Sequence, residues 1–149
     1  MQWIVKTFEE LTTGELYALL RLRSEVFVVE QACVFLDMDN ADQKGIHVLG
    51  YDEEQELVAY TRLFEPGIKF DMASIGRVVT SKKVRGTGAG RELMEQSIRM
   101  LEARFGKVPI KIGAQQYLQK FYSSLGFIQS SEMYLEDNIP HIEMIRDSV

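Results

Sequence analysis

Ser74-Ile75-Gly76-Arg77-Val78-Val79-Thr80, followed by Ser81-Lys82-Lys83-Val84 and then Arg85-Gly86-Thr87-Gly88-Ala89-Gly90, is the stretch on which the fold turns. Ile75, Val78 and Val79 mark a β-type run. Beyond the glycines, Met94, Ile98, Leu101 and Phe105 recur at helical intervals until Gly106 and Pro109 stop the pattern. The order is strand, tight turn, long amphipathic helix. Glycines at such a turn let the backbone come close to a ligand, and the helix that follows offers free N–H groups and the positive end of its dipole. The loop therefore reads as a phosphate cradle, with Lys82, Lys83, Arg85 and Arg91 adding cations beside it. A loop whose glycines do nothing but turn the chain is the plainer alternative. Neither a Walker A loop nor a dinucleotide fingerprint fits the spacing.

Outward from this unit, Val108 to Ile112 is a short strand, and Leu118, Phe121, Tyr122 and Leu125 take helical spacing before Gly126. A last hairpin is predicted from Ile128–Leu135 and His141–Arg146, turning at Asp137-Asn138-Ile139-Pro140. Toward the N-terminus, Gln2 to Thr7 reads as a first strand, and Thr12-Thr13-Gly14-Glu15 has the spacing of a capping box before a helix over Thr13 to Val28. Glu30 to Gly45 lacks periodicity and is predicted as a loop. Ile46–Tyr51 and Leu57–Phe64 form a hairpin across an acidic turn. Together these elements define an α/β (α+β) chain, a mixed central sheet of about seven strands with helices packed on it.

The length of 149 residues suits one domain spanning 1–149. Seventeen basic against 22 acidic residues leave a net charge of -5, which repels polyanions and argues against nucleic acid as a partner. No apolar run approaches the ~20 residues of a membrane span, and the N-terminus lacks a signal-peptide pattern, so a soluble cytoplasmic chain is expected. One cysteine, Cys33, excludes an internal disulfide framework and gives no thiol pair for a metal; no metal site is expected.

Two motifs carry a resemblance. Arg85, Gly88 and Gly90 match the cofactor pattern Arg/Gln-x-x-Gly-x-Gly/Ala of the GNAT superfamily of acetyltransferases, and Phe121-Tyr122-Ser123-Ser124-Leu125-Gly126-Phe127 is similar to that family's Tyr-bearing second crossover helix. Phe27-Val28-Val29-Glu30-Gln31, Ile75-Gly76-Arg77-Val78, Gly113-Ala114-Gln115 and Ile139-Pro140-His141 further resemble its ElaA-like subgroup. The resemblance spans nearly the whole chain. It implies the GNAT fold, with helices on both faces of the sheet and two parallel strands, Ser74–Thr80 and Val108–Ile112, splayed at the cofactor site.

It also implies acetyl-CoA as cofactor. Backbone groups of Arg77, Val78 and Val79 would hold the pantetheine arm and acetyl carbonyl, Arg85, Gly86, Thr87, Gly88, Ala89 and Gly90 the pyrophosphate, and Gln115 a further cofactor contact. The acceptor would be a small amine or a peptide amine, and a homodimer is possible in this family. Transfer needs a neutral amine, an oxyanion donor and a proton for the leaving thiolate. Tyr122 is the expected acid, although its spacing alone also suits a core aromatic. The fifth-strand carboxylate of several relatives is missing from Ile110-Lys111-Ile112, so Glu30 is taken as the catalytic base. His47 and His141 read as structural imidazoles and Cys33 as a packed thiol. Glu30, Asp37, Asp39, Asp42, Glu136 and Asp137 would either attract a cationic amine or simply keep loops soluble. An acyl-CoA-binding or sensing module without transferase activity is the alternative function, and a protein binding ATP or NAD through the glycine loop is a third.

Overall fold

The computed structural model describes residues 1–148. Eight strands, β1 (Gln2–Thr7), β2 (Ile46–Tyr51), β3 (Leu57–Phe64), β4 (Ala73–Thr80), β5 (Ile110–Gln115), β6 (Ile128–Gln129), β7 (Tyr134–Glu136) and β8 (Ile139–Arg146), form one mixed sheet. Its order is β1-β2-β3-β4-β5-β8-β6, with β7 also pairing β8. Three α-helices, α1 (Thr13–Arg23), α2 (Ala89–Phe105) and α3 (Gln119–Ser123), complete the expected architecture. Among the described residues no helix is long and apolar enough to cross a membrane.

Thr12 caps α1 as the sequence suggests: its side chain accepts from the Glu15 N–H at 3.1 Å, and the Glu15 carboxylate accepts from the Thr12 N–H at 2.8 Å. The helix does not run evenly to Val28. It widens at Ser24 into a π-helical segment reaching Glu30, where the Gln31 N–H reaches back to the Val26 carbonyl and the Cys33 N–H to that of Val28. On its buried side, Leu19, Leu22 and Val26 meet Leu49, Leu57, Tyr60 and Val79 of the sheet. On the other face, α2 buries Leu93, Met94, Ile98 and Leu101 against Val48, Ala59, Ile75, Ile112 and Met144. Each of the Val, Leu, Ile and Met side chains among these contributes roughly 1.5–3 kcal/mol by leaving water.

The last hairpin turns earlier than predicted. Asp137 and Asn138, at φ +51° and +63°, make a two-residue turn, and Pro140 lies inside β8 opposite Leu135. Both residues tolerate the left-handed conformation, which matches the twist of the flanking strands. The predicted first arm splits into β6 and β7, and β8 pairs with both.

The predicted loop between Glu30 and Gly45 is anchored by charge. Asp37 and Asp42 are buried, not solvated. Arg23, also buried, pairs with Asp37 through Nε and with Asp42 through Nη1, both at 2.7 Å. Arg62 joins Asp39 and Asp42 at 2.8 Å, and Arg77 lies 2.8 Å from Asp37 and 3.3 Å from Asp39. Burial alone would raise the Asp39 and Asp42 carboxyls, but hydrogen bonds from Arg62, joined at Asp42 by Arg23, outweigh it and hold both below the ordinary carboxylate range. The acids of this loop therefore neutralise arginines, and the reading of Asp37 and Asp42 as solubilising charges is corrected.

Because these folded-state values lie below the unfolded ones, their stabilisation is complete above about pH 4 and is lost as pH falls through the folded values. The contribution of these acids to the urea midpoint should be constant above that point and lost below it, on top of a decline that begins near neutral pH because the buried His47 imidazole resists protonation. Asp42→Asn, which leaves two buried guanidiniums short of charge, should cost about 3–5 kcal/mol in urea unfolding at neutral pH.

Candidate active site

Strands β4 and β5 pair in parallel only at Ala73↔Ile110 and Ser74↔Lys111. From Ile75 onward β4 has no strand partner on its β5 side, because the two diverge. The register of β4 against β3 also slips, with Arg62 opposite Gly76 but Tyr60 opposite Val79. Arg77 and Val78 share the extra residue of this bulge, and Arg77 takes φ +50°. A left-handed residue in mid-strand costs about 1–2 kcal/mol, and the pairing of Arg77 with Asp37 and Asp39 offsets it.

The divergence opens a cavity of about 890 Å³. Glu30, Arg77, Val78, Val79, Arg85, Gly90, Gln115 and Tyr122 line it, which brings the two ends of the glycine motif together with the tyrosine motif; Gly86, Thr87, Gly88 and Ala89 lie outside its lining. Val78 is only partly covered while Val79 is buried. Gln115 reaches across to Gln31, its Nε2 donating at 3.4 Å.

The glycine loop has the form of an anion cradle. Ser81 begins a short 3-10 turn over Lys82–Val84, and Gly86 and Gly88 take φ +79° and +88°. Gly88 is the N-cap of α2 and supplies no side-chain cap, so the first N–H groups of a 17-residue helix lack an internal acceptor. A Cβ at Gly86, Gly88 or Gly90 would meet nothing within 4 Å, so the surface of the loop is open there. Thr87 bonds the Val84 carbonyl and fixes the turn. These features fit a diphosphate.

The cations are more engaged than their spacing suggested. Lys83 pairs with Glu56 at 2.6 Å, and Arg91 with Glu95 at 3.2 Å. Arg85 donates to the Thr80 carbonyl at 2.9 Å and to Glu30. Lys82 is exposed, 4.0 Å from the same Glu30. The Arg85 hydrogen bond lowers the Glu30 carboxyl below its ordinary value, which makes it a weaker proton acceptor than a free carboxylate.

Tyr122 is 5% exposed, edge-on to Phe121 and Phe127. Burial, and secondarily Tyr117, pushes its phenol well above the ordinary value, so its proton is retained throughout the neutral range. It is thus both a core aromatic and a cavity wall. His47 is buried with both ring nitrogens bonded, Nδ1 accepting from the Tyr60 hydroxyl at 2.6 Å and Nε2 donating to the Asp42 carbonyl at 2.9 Å. Arg23 and Arg62 escaped sequence reasoning, and Gln31, part of the Phe27–Gln31 motif, carried no role there. A charge inside the apolar run Leu57–Phe64, or on the apolar stripe of α1, was the signal available for the two arginines.

A profile of the family described as "Acetyltransferase (GNAT) domain" matches residues 21–147. The chain is 41% identical to protein ElaA of Escherichia coli over 151 residues, covering 100% of this chain and 98% of that protein. It superposes on the crystal structure of Escherichia coli ElaA with a TM-score of 0.90, covering 99% of this chain and 100% of that one. An acyl-CoA N-acyltransferase from Pseudomonas aeruginosa gives a TM-score of 0.91 at 40% identity, covering 98% of this chain and 99% of the other. An aminoglycoside 6'-N-acetyltransferase complexed with coenzyme A shares the fold, with a TM-score of 0.73 at 16% identity over 98% and 97% of the two chains. The chain belongs to the GNAT acetyltransferase family, in its ElaA-like branch.

Two glycines of the cradle, one at positive φ and one not, are testable apart from function. Gly88→Ala should cost about 1–2 kcal/mol in urea unfolding, whereas Gly90→Ala, at an ordinary helical φ, should cost nothing or stabilise slightly.

Proposed function

We propose that the chain transfers an acetyl group from acetyl-CoA directly to a primary amine, on a small molecule or a peptide, in a ternary complex. One observation carries the reading: Arg85 and Gly90, the two ends of the glycine cradle at the uncapped start of α2, and the buried phenol of Tyr122 line the same cavity between diverging strands. In this assignment Arg85 to Gly90 hold the pyrophosphate, Arg77 to Val79 the pantetheine arm, and Gln115 a cofactor amide. Acetyl-CoA supplies a thioester carbonyl and a thiolate leaving group. A backbone N–H at Val78 or Val79 is the donor to the developing oxyanion, an effect commonly worth several kcal/mol.

Tyr122 gives its proton to the departing sulfur. An ordinary thiol ionises near ~8.5 and a phenol near ~10, so the transfer is uphill in water. Burial disfavours thiolate and phenolate alike, so the transfer stays uphill inside the cavity and is drawn forward by collapse of the tetrahedral intermediate to the amide. Glu30, the base expected from the sequence, is engaged with Arg85, and we assign it to holding that guanidinium ready for the diphosphate.

Tyr122→Phe should lower kcat by about 10²–10⁴-fold with little change in acetyl-CoA affinity, as general-acid loss does. The measurement is free-thiol release over a panel of 2-phenylethylamine, spermidine and a peptide N-terminus. Gly90→Val should keep the wild-type urea midpoint and weaken coenzyme A binding at least tenfold in calorimetry, since its side chain fills the cradle. Tight acetyl-CoA binding with no thiol release from any amine would favour an acyl-CoA-sensing module instead.

A further inference from the structure

The geometry points to His141 as the base that deprotonates the incoming amine, an inference that rests on the acetyltransferase reading above. His141 lies near the start of β8, buried but facing the cavity. Its Nδ1 is 2.7 Å from the Ile139 carbonyl, and a carbonyl only accepts, so Nδ1 carries the hydrogen. In the neutral ring Nε2 therefore holds a lone pair. The nearest charged partner of that nitrogen is Glu136 at 3.5 Å, too far for a good hydrogen bond but close enough to pair once the ring is protonated. The Tyr134 ring stacks on the imidazole at 5.9 Å and fixes its plane. His47, with both nitrogens bonded, has no such free position.

The register places this nitrogen opposite the acid. Ile112 and Ala114 on β5 and their partners Met144 and Ile142 on β8 enter the core that contains Tyr122. Side chains alternate across a strand, so Gln115 and its partner His141 lie on the other face. That face is closed by the segment after the π-helix, where Gln31 meets Gln115 and the Cys33 thiol meets the Asp137 carbonyl at 3.4 Å. An amine entering there would have Nε2 on one side of the thioester and the Tyr122 phenol on the other. The titratable groups sharing this end of the cavity are Glu136, Tyr134, Asp137, Glu143, Cys33 and Glu30. Glu143 is neutralised by Lys111 at 3.1 Å and Glu30 by Arg85, which leaves Glu136 to stabilise an imidazolium.

The step balances. Nε2 takes one proton from the ammonium, and the freed lone pair forms the C–N bond. The C–S electrons leave with sulfur, which takes the Tyr122 proton. The phenolate recovers the second proton from the new amide nitrogen, and His141 releases the first to water past half-exposed Glu136.

The test compares wild type with His141→Asn, which can keep the donor to Ile139, and His141→Gln, using two kinds of acceptor. The amines of the panel above are protonated at neutral pH, whereas hydroxylamine is largely neutral and needs no such base. Both variants should lower kcat/KM for the alkylamines by about 100-fold on the neutral side of the wild-type acidic limb, and the deficit should shrink as pH rises toward the amine's own ionisation. Acetyl-CoA affinity and the hydroxylamine rate should hardly change. Glu136→Gln should move the acidic limb to lower pH. An equal loss with both acceptors would reduce His141 to a packing role, and an alkylamine deficit that stays constant as pH rises would remove it from proton transfer; either overturns the inference while leaving Tyr122 in place. A wild-type protein that binds acetyl-CoA and acetylates none of the panel would instead sink the acetyltransferase reading, and the base with it.

Discussion

The ion pairs that Arg77 makes with Asp37 and Asp39 hold a left-handed residue in the middle of a strand, and the site is built around that constraint. The bulge shifts β4 by one residue against β3 while the strand's other edge loses β5. Backbone polar groups without a strand partner at the floor of a cavity require another partner, and an amide-bearing ligand threaded between the strands would provide one. The same acids bind Arg23 and Arg62, so the arch from Gln31 to Asp42 is tied to α1, β3 and β4 together. Removing one partner of such a buried pair costs far more than the pair contributes when intact. The network thus couples the shape of the cavity to the folding of the domain.

Charge is distributed in a way that suits an anionic ligand on an acidic protein. The net charge of -5 gives no general attraction. The local field at the cradle comes from the uncapped start of α2 and from Arg85 and Lys82, with Glu30 as their counter-ion. A diphosphate arriving there would exchange one anionic partner of Arg85 for another, so specificity must come from the backbone donors and the glycine surface as much as from cations.

Much of this was legible in the residues. The strand, glycine turn and helix from Ser74 to Phe105 follow from β-type residues, positive-φ glycines and apolar spacing, all local signals. The mixed sheet and the family followed from the same stretch and from Phe121 to Phe127. The π-helical widening after Arg23 was not legible, since the apolar spacing of Leu19, Leu22 and Val26 reads the same for an ordinary helix. Nor was the burial of Asp37 and Asp42: an acid in an aperiodic loop looks solvated until three arginines from separate elements converge on it. The early turn at Asp137-Asn138 was readable in principle, but Pro140 drew the boundary two residues late. His141 looked like any isolated imidazole, because only the pairing of β5 with β8 shows which face it occupies.

The central claim is that the diverging strands and the glycine cradle form one site, with the thioester end of the ligand at the phenol. A crystal structure with coenzyme A tests it most directly. The account predicts the diphosphate on the amides of residues 86–90, the pantetheine between β4 and β5, and the sulfur within hydrogen-bonding reach of the Tyr122 hydroxyl. A diphosphate bound elsewhere, or a sulfur on the far side of the sheet from that hydroxyl, would contradict it.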